Sequence, residues 1–132
     1  MQLLDTSVLI TFGESALPDD ATVLSAISEA ELRFGIEHAP SPQERRSRTT
    51  RFARIEYSVA AGWAPFDSAA AASYGHLAAL VAKTRPSHAR SKDIMLAAHA
   101  HSLGAVFVTL NPKDFELVAD EVEVIVPELR TP

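Results

Sequence analysis

The feature that most constrains this chain is an alternation of short apolar runs with longer amphipathic stretches. Residues 1–4 form a short apolar strand, and residues 6–12 continue as the start of a helix. Residues 21–27 carry several β-branched side chains and predict a second strand. Residues 28–38 fit a helix closed by Pro40 and Pro42. A long helix is expected over residues 42–61, with proline in its first turn and Gly62 past its end. Residues 63–66 are a short strand or sheet edge, after which Asp67-Ser68 caps an Ala-rich helix over residues 69–83. Residues 84–90 are a polar connection, and residues 91–103 a helix ended by Gly104. Residues 105–110 are a buried strand by their apolar continuity. Asn111-Pro112 opens a short helix through about residue 119, and residues 122–126 give the last strand. Strands separated by helices imply right-handed crossovers. The expected fold class is therefore α/β, with a central, mostly parallel sheet flanked by helices on both faces.

The length of 132 residues fits one domain spanning 1–132, and 47% hydrophobic content suffices for a sizeable core. No run of about 18 apolar residues offers a membrane span. The opening Met1-Gln2-Leu3-Leu4-Asp5 lacks the basic and apolar regions of a secretory signal. Cysteine is absent, which removes disulfides and thiolate zinc sites and suits a cytoplasmic location. The net charge of −5 opposes general attraction to phosphates. The charges are nevertheless unevenly placed. Arg45, Arg46, Arg48, Arg51 and Arg54 fall within ten positions with no acid between them. That run is either a solvated helix face or a local patch that steers phosphates.

Four acids fall near strand ends or helix starts: Asp5, Glu31, Asp93 and Asp114. In open α/β sheets, ligands bind beyond the carboxyl ends of the strands, so the topology can bring these points to one edge. Each acid also has a structural role open to it. Ser28-Glu29-Ala30-Glu31 matches a capping box, Asp5 can cap the helix starting at Thr6, and Asp93 follows a possible Ser91 cap. Asp114 occupies the third position after an Asn111 cap. Capping explains each acid separately but gives no reason for a shared edge. Helical phase places Glu31 inward and Glu29 outward, where Glu29 can pair with Arg33; Leu32 and Ile36 spoil the outer face. Asp93 heads an apolar stripe of Leu96, Ala97 and Ala100, where a carboxylate is costly unless a cation compensates it.

Clustered carboxylates suit hard divalent cations such as Mg2+ or Mn2+, and such an ion can activate water for phosphodiester hydrolysis. Thr6, Ser7, Thr109 and Asn111 are the polar residues placed to support such a centre, although turns and caps use the same residue types. There is no HExxH and no Gly-rich phosphate loop. An aspartyl-phosphate hydrolase would want an acid where Ser7 stands.

Four segments, Leu3-Leu4-Asp5-Thr6-Ser7, Ala30-Glu31-Leu32-Arg33-Phe34-Gly35, Asp93-Ile94-Met95-Leu96-Ala97-Ala98-His99-Ala100 and Val108-Thr109-Leu110-Asn111-Pro112-Lys113-Asp114-Phe115, resemble the PIN-domain VapC-like toxins in order and spacing. The resemblance implies a PIN-like fold and a Mg2+- or Mn2+-dependent endoribonuclease, the toxin of a toxin–antitoxin pair. It further implies a homodimer inhibited by a cognate VapB-like antitoxin. By position, Asp5, Glu31, Asp93 and Asp114 are the acids that would bind metal and carry catalysis. Asp114 matches the least uniform of the four, because many relatives place an acid where this chain has Asn111. Ser7 stands where Asn is frequent. The alternative expectation is an inactive PIN-like module that binds RNA or a protein partner.

Overall fold

In the computed structural model, residues 1–130 are described; Thr131 and Pro132, at the end of the expected 1–132 domain, lie outside the described residues. The elements run β1 (Gln2–Leu4), α1 (Thr6–Ile10), β2 (Ser15–Ala16), β3 (Thr22–Ser25), α2 (Ala26–Glu37) and α3 (Pro42–Ser58). They continue with β4 (Trp63–Ala64), α4 (Ser68–Ala82), α5 (Pro86–Ala89), α6 (Lys92–Leu103) and β5 (Val106–Val108). A 3-10 helix (Pro112–Val118), β6 (Val124–Ile125) and β7 (Glu128–Leu129) complete the order.

Five strands form a wholly parallel sheet in the order β4-β3-β1-β5-β6. Alternation along each strand sends neighbours to opposite faces, and the two cores follow from it. Leu3 and Phe107 are paired in register and join Leu77, Ile94, Leu96 and Phe115 beneath α4 and α6. Leu4 and Val108, the next pair, join Val8, Leu24, Phe52 and Ile55 on the α1 and α3 face. The expectation of a parallel sheet with helices on both faces is met. Fully burying a side chain such as Phe107 stabilises the fold by about 1.5–3 kcal/mol.

Chain order places the switch point. From β1 the chain moves to β3 and β4 on one side, then returns to β5 and β6 on the other. The crevice at the carboxyl ends of β1 and β5 is where such sheets bind ligands.

Several expected boundaries shift for identifiable reasons. Helix α2 starts at Ala26 because the hydroxyl of Ser25, not Ser28, caps it by accepting from Ile27 N at 3.1 Å. Helix α3 stops at Ser58, short of residue 61; Gly62, with φ +70°, makes the turn into β4 instead. The connection over residues 84–90 contains the single turn α5, begun by Pro86. Asn111 makes no side-chain cap, and the helix it precedes is 3-10 rather than α. The small antiparallel pair β2–β7 was not expected, since two-residue strands carry too few side chains to show a period of two. Leu32, assigned by phase to the outer face of α2, is buried because α3 covers that side.

Candidate functional site

Asp5 follows the last residue of β1, and its N–H is held by Val108 O at 2.8 Å, pinning it between β1 and β5. It is 3% exposed. One carboxylate oxygen accepts from Thr6 N at 2.9 Å, so the capping role is real. The other accepts from Ser7 Oγ at 2.8 Å and Thr109 Oγ1 at 2.7 Å. Those two hydroxyls in turn accept from backbone amides, Ser7 from Leu110 N at 3.1 Å and Thr109 from Asn111 N at 3.0 Å. The network therefore ties the ends of β1 and β5 together around one carboxylate. Cap and cluster member are the same residue.

Glu31 comes to this edge from α2. With Ser25 as the cap, the Ser28 capping box does not form, and Glu31 is left to accept from Thr6 Oγ1 at 3.0 Å. Thr6 Oγ1 also bonds Ser28 Oγ at 2.8 Å. Glu29 faces the other way and pairs with Arg33 at 2.9 Å, as its phase predicts. Asp93 lies in the first turn of α6, which Ser91 caps through Ile94 N, and it heads the buried Leu96, Ala97 and Ala100 stripe. Asp114 lies in the first turn of the 3-10 helix.

The electrostatics show that these acids share a field. Burial pushes the Asp5 carboxyl above its ordinary range despite three hydrogen bonds that favour ionisation, and the nearby Asp114 pushes it further. Burial likewise raises Glu31; Thr6 and Lys92 oppose that, while Asp5 and Asp93 add to it. Asp93 is raised by burial, then by Asp5 and Asp114, with His88 opposing. Carboxylates whose ionisation is opposed first by burial and then by neighbouring acids are the donor chemistry a hard dication neutralises. Among the described residues, no group of three or more His, Asp or Glu is placed to hold a metal ion by itself. The fit is to an ion such as Mg2+ or Mn2+ that keeps several waters and takes one or two carboxylates directly, not to a fully dehydrated site.

The surroundings divide the arginine run. A hollow of about 320 Å³ is lined by Thr6, Glu31, Arg48, Arg51 and Phe52 among others. Glu31 also borders a second, more apolar hollow with Phe34, Lys92 and Met95. Asp5, Asp93 and Asp114 line neither. Arg45 is committed to Glu37 at 3.0 and 3.2 Å, and Arg48 to Glu44 at 3.1 Å and Gly35 O at 2.6 Å. Arg46 and Arg54 are exposed. Arg51 thus combines a place on the hollow with a half-buried stem. Asn111 takes part through its backbone N–H only, with its side chain exposed. Two basic residues were passed over by the sequence reasoning: Lys92, beside Asp93, and His88, whose Nε2 shares a 2.7 Å hydrogen bond with Asp114 O. The signal for Lys92 was its adjacency to an acid; His88 lay in what looked like a plain connection.

Comparison with known proteins places the fold in a family. The PIN domain family model matches residues 3–121, and the chain belongs to that family. Among solved structures, FitAcB from Neisseria gonorrhoeae is 27% identical with a TM-score of 0.71, covering 95% of this chain and 96% of that one. VapBC-1 from nontypeable Haemophilus influenzae is 25% identical with a TM-score of 0.71 over the same shares. VapBC-5 from Mycobacterium tuberculosis, a member of the VapBC family of toxin–antitoxin systems, has a TM-score of 0.72 at 24% identity over 97% of this chain and 98% of that one, a likeness of fold. The expected likeness to PIN-domain VapC-like toxins is borne out. No curated protein sequence matches significantly.

Proposed function

We propose that this chain is the toxin of a VapBC-like pair, an endoribonuclease that uses Mg2+ or Mn2+ held by Asp5, Glu31, Asp93 and Asp114. The observation that carries the proposal is the placing of Asp5 at the sheet's switch point, held by Ser7 and Thr109, close enough to Glu31 and Asp93 to add to the burial that raises both. A bound ion would supply charge neutralisation and a water of lowered pKa for in-line attack on phosphorus. The chain's own part is positional. Ser7 and Thr109 fix the Asp5 carboxylate, Thr6 orients Glu31, and the apolar stripe behind Asp93 excludes water from one side. Arg51, with Arg48 beside it, faces the hollow next to Glu31 and suits an RNA phosphate.

The same reading extends to a single PIN-like unit acting in the cytoplasm as a homodimer, restrained by a cognate VapB-like antitoxin. No described helix is long and apolar enough to cross a membrane. The test incubates RNA with wild type, Asp5→Asn and Asp93→Asn, each with Mg2+ and with chelator, after circular dichroism has established folding. Cleavage by wild type with Mg2+ alone is expected. Equal cleavage in all samples sinks the metal centre, and RNA binding without any cleavage favours the inactive-module alternative.

A further inference from the structure

Helix α2 carries Glu31 and α6 carries Asp93, and a buried side-chain hydrogen bond ties α6 to the start of α2. His99 of α6 is 2% exposed, and its Nδ1 lies 2.8 Å from the hydroxyl of Ser25, which is fully buried. Phe66 packs edge-on against the imidazole, with ring centres 5.5 Å apart. Burial holds His99 below its ordinary range, against the opposing charge of Asp67. The ring is therefore neutral at neutral pH and carries one acceptor nitrogen.

We infer that His99 is a positioning residue for the acid centre: its bond to Ser25 fixes where α2 begins, and so where Glu31 lies. The inference rests on the metal-centre reading above. The Ser25 oxygen already accepts from Ile27 N at 3.1 Å, which caps α2. Its one proton is left to donate to His99 Nδ1, and the two bonds together hold the hydroxyl in the capping direction.

The start of α2 is contested within the sequence. Ser28-Glu29-Ala30-Glu31 is a capping box, and a helix begun at Ser28 would turn the Glu31 carboxylate back to the Ser28 amide. With Ser25 as the cap, Glu31 is free to accept from Thr6 Oγ1 at 3.0 Å, and Ser28 Oγ bonds the same hydroxyl at 2.8 Å. Thr6 adjoins Asp5, so the earlier start is what brings Glu31 to the acid edge. Because His99 shares a helix with Asp93, the bond sets Glu31 relative to Asp93 as well as to the sheet. As packing alone, His99 would matter through the volume of its ring; as a positioning residue it matters through Nδ1.

The experiment compares full-length wild type with His99→Asn, His99→Phe and His99→Leu, and with Glu31→Gln alone and combined with each apolar variant. Asparagine puts a polar atom where Nδ1 stands but leaves a void, whereas phenylalanine and leucine fill the space without an acceptor. Mn2+ affinity is measured on folded protein, and hydrogen exchange at Ile27 N–H, relative to the slowest amides of the chain, is measured in chelator. Each apolar variant should weaken Mn2+ binding about 10-fold, the scale for a group that orients a ligand, and speed exchange at Ile27. His99→Asn should keep both near wild type even though it packs worst, the reverse of the order that packing alone predicts. In the Glu31→Gln background the apolar variants should cause no further loss of affinity. Wild-type affinity and exchange in the apolar variants, or the same loss in the Glu31→Gln background, would overturn the inference. Equal Mn2+ binding by wild type and Glu31→Gln would instead fail the metal-centre reading, and exchange at Ile27 then decides alone whether His99 sets the start of α2.

Discussion

Thr109→Val removes one oxygen from the centre of the acid network while keeping the shape of the side chain. Thr109 is fully buried; its hydroxyl donates to Asp5 at 2.7 Å and accepts from Asn111 N at 3.0 Å. A hydrogen bond to a charged partner contributes about 1.5–3 kcal/mol and a neutral one about 0.5–1.5, so the variant should lose roughly 2–4 kcal/mol at neutral pH. The loss should depend on pH. Asp5 ionises above its ordinary 3.8 because burial outweighs its hydrogen bonds, and deleting one of those bonds raises it further. A carboxyl with a raised folded pKa contributes stability that is complete below its unfolded pKa and lost as pH rises through the folded value. The variant loses more over that window, so its deficit should grow with pH. Urea unfolding in chelator, at about pH 3.5 and about pH 7.5, measures both ends by linear extrapolation. A difference independent of pH, or one below about 1 kcal/mol at neutral pH, would refute the reasoning.

The other expectations are narrower. In wild type the Tm gap between Mg2+ and chelator should widen from acid to neutral pH, because Asp5, Glu31 and Asp93 all lose stability as they ionise without a cation; a constant gap would deny the link. Arg51→Ala should weaken RNA binding about 10-fold and flatten its salt dependence, whereas Arg46→Ala, away from the hollow, should do little in the same filter-binding titration. Gly104 ends α6 at φ +65° with open space where a Cβ would point, so Gly104→Ala should cost about 1–2 kcal/mol in thermal unfolding through backbone strain alone.

The sheet was legible because its strands are continuous apolar runs: Leu3-Leu4 and Phe107-Val108 can only be buried on both faces, and helices must then cover them. Asp5, at a strand's end, and Asp93, at the head of an apolar stripe, could be placed from phase and position. What escaped depended on contacts distant in sequence. Ser25 rather than Ser28 caps α2, where a partner 74 residues away, His99 Nδ1, also bonds its hydroxyl at 2.8 Å. That choice decides whether Glu31 serves a cap or Thr6. Arg45 and Arg48 look free in a run without acids, yet Glu37 and Glu44 reach them across a turn of helix or a loop. His88 and Lys92 gain their place only when α5 and α6 are folded against the acid edge.

The most direct test of the acid centre follows Mn2+ binding and RNA cleavage in the same samples, for wild type and for folded Asp5→Asn. Binding and cleavage should rise together with Mn2+ in wild type, and both should be lost in the variant. Cleavage by folded Asp5→Asn at the wild-type rate, or by wild type in chelator, would contradict the account.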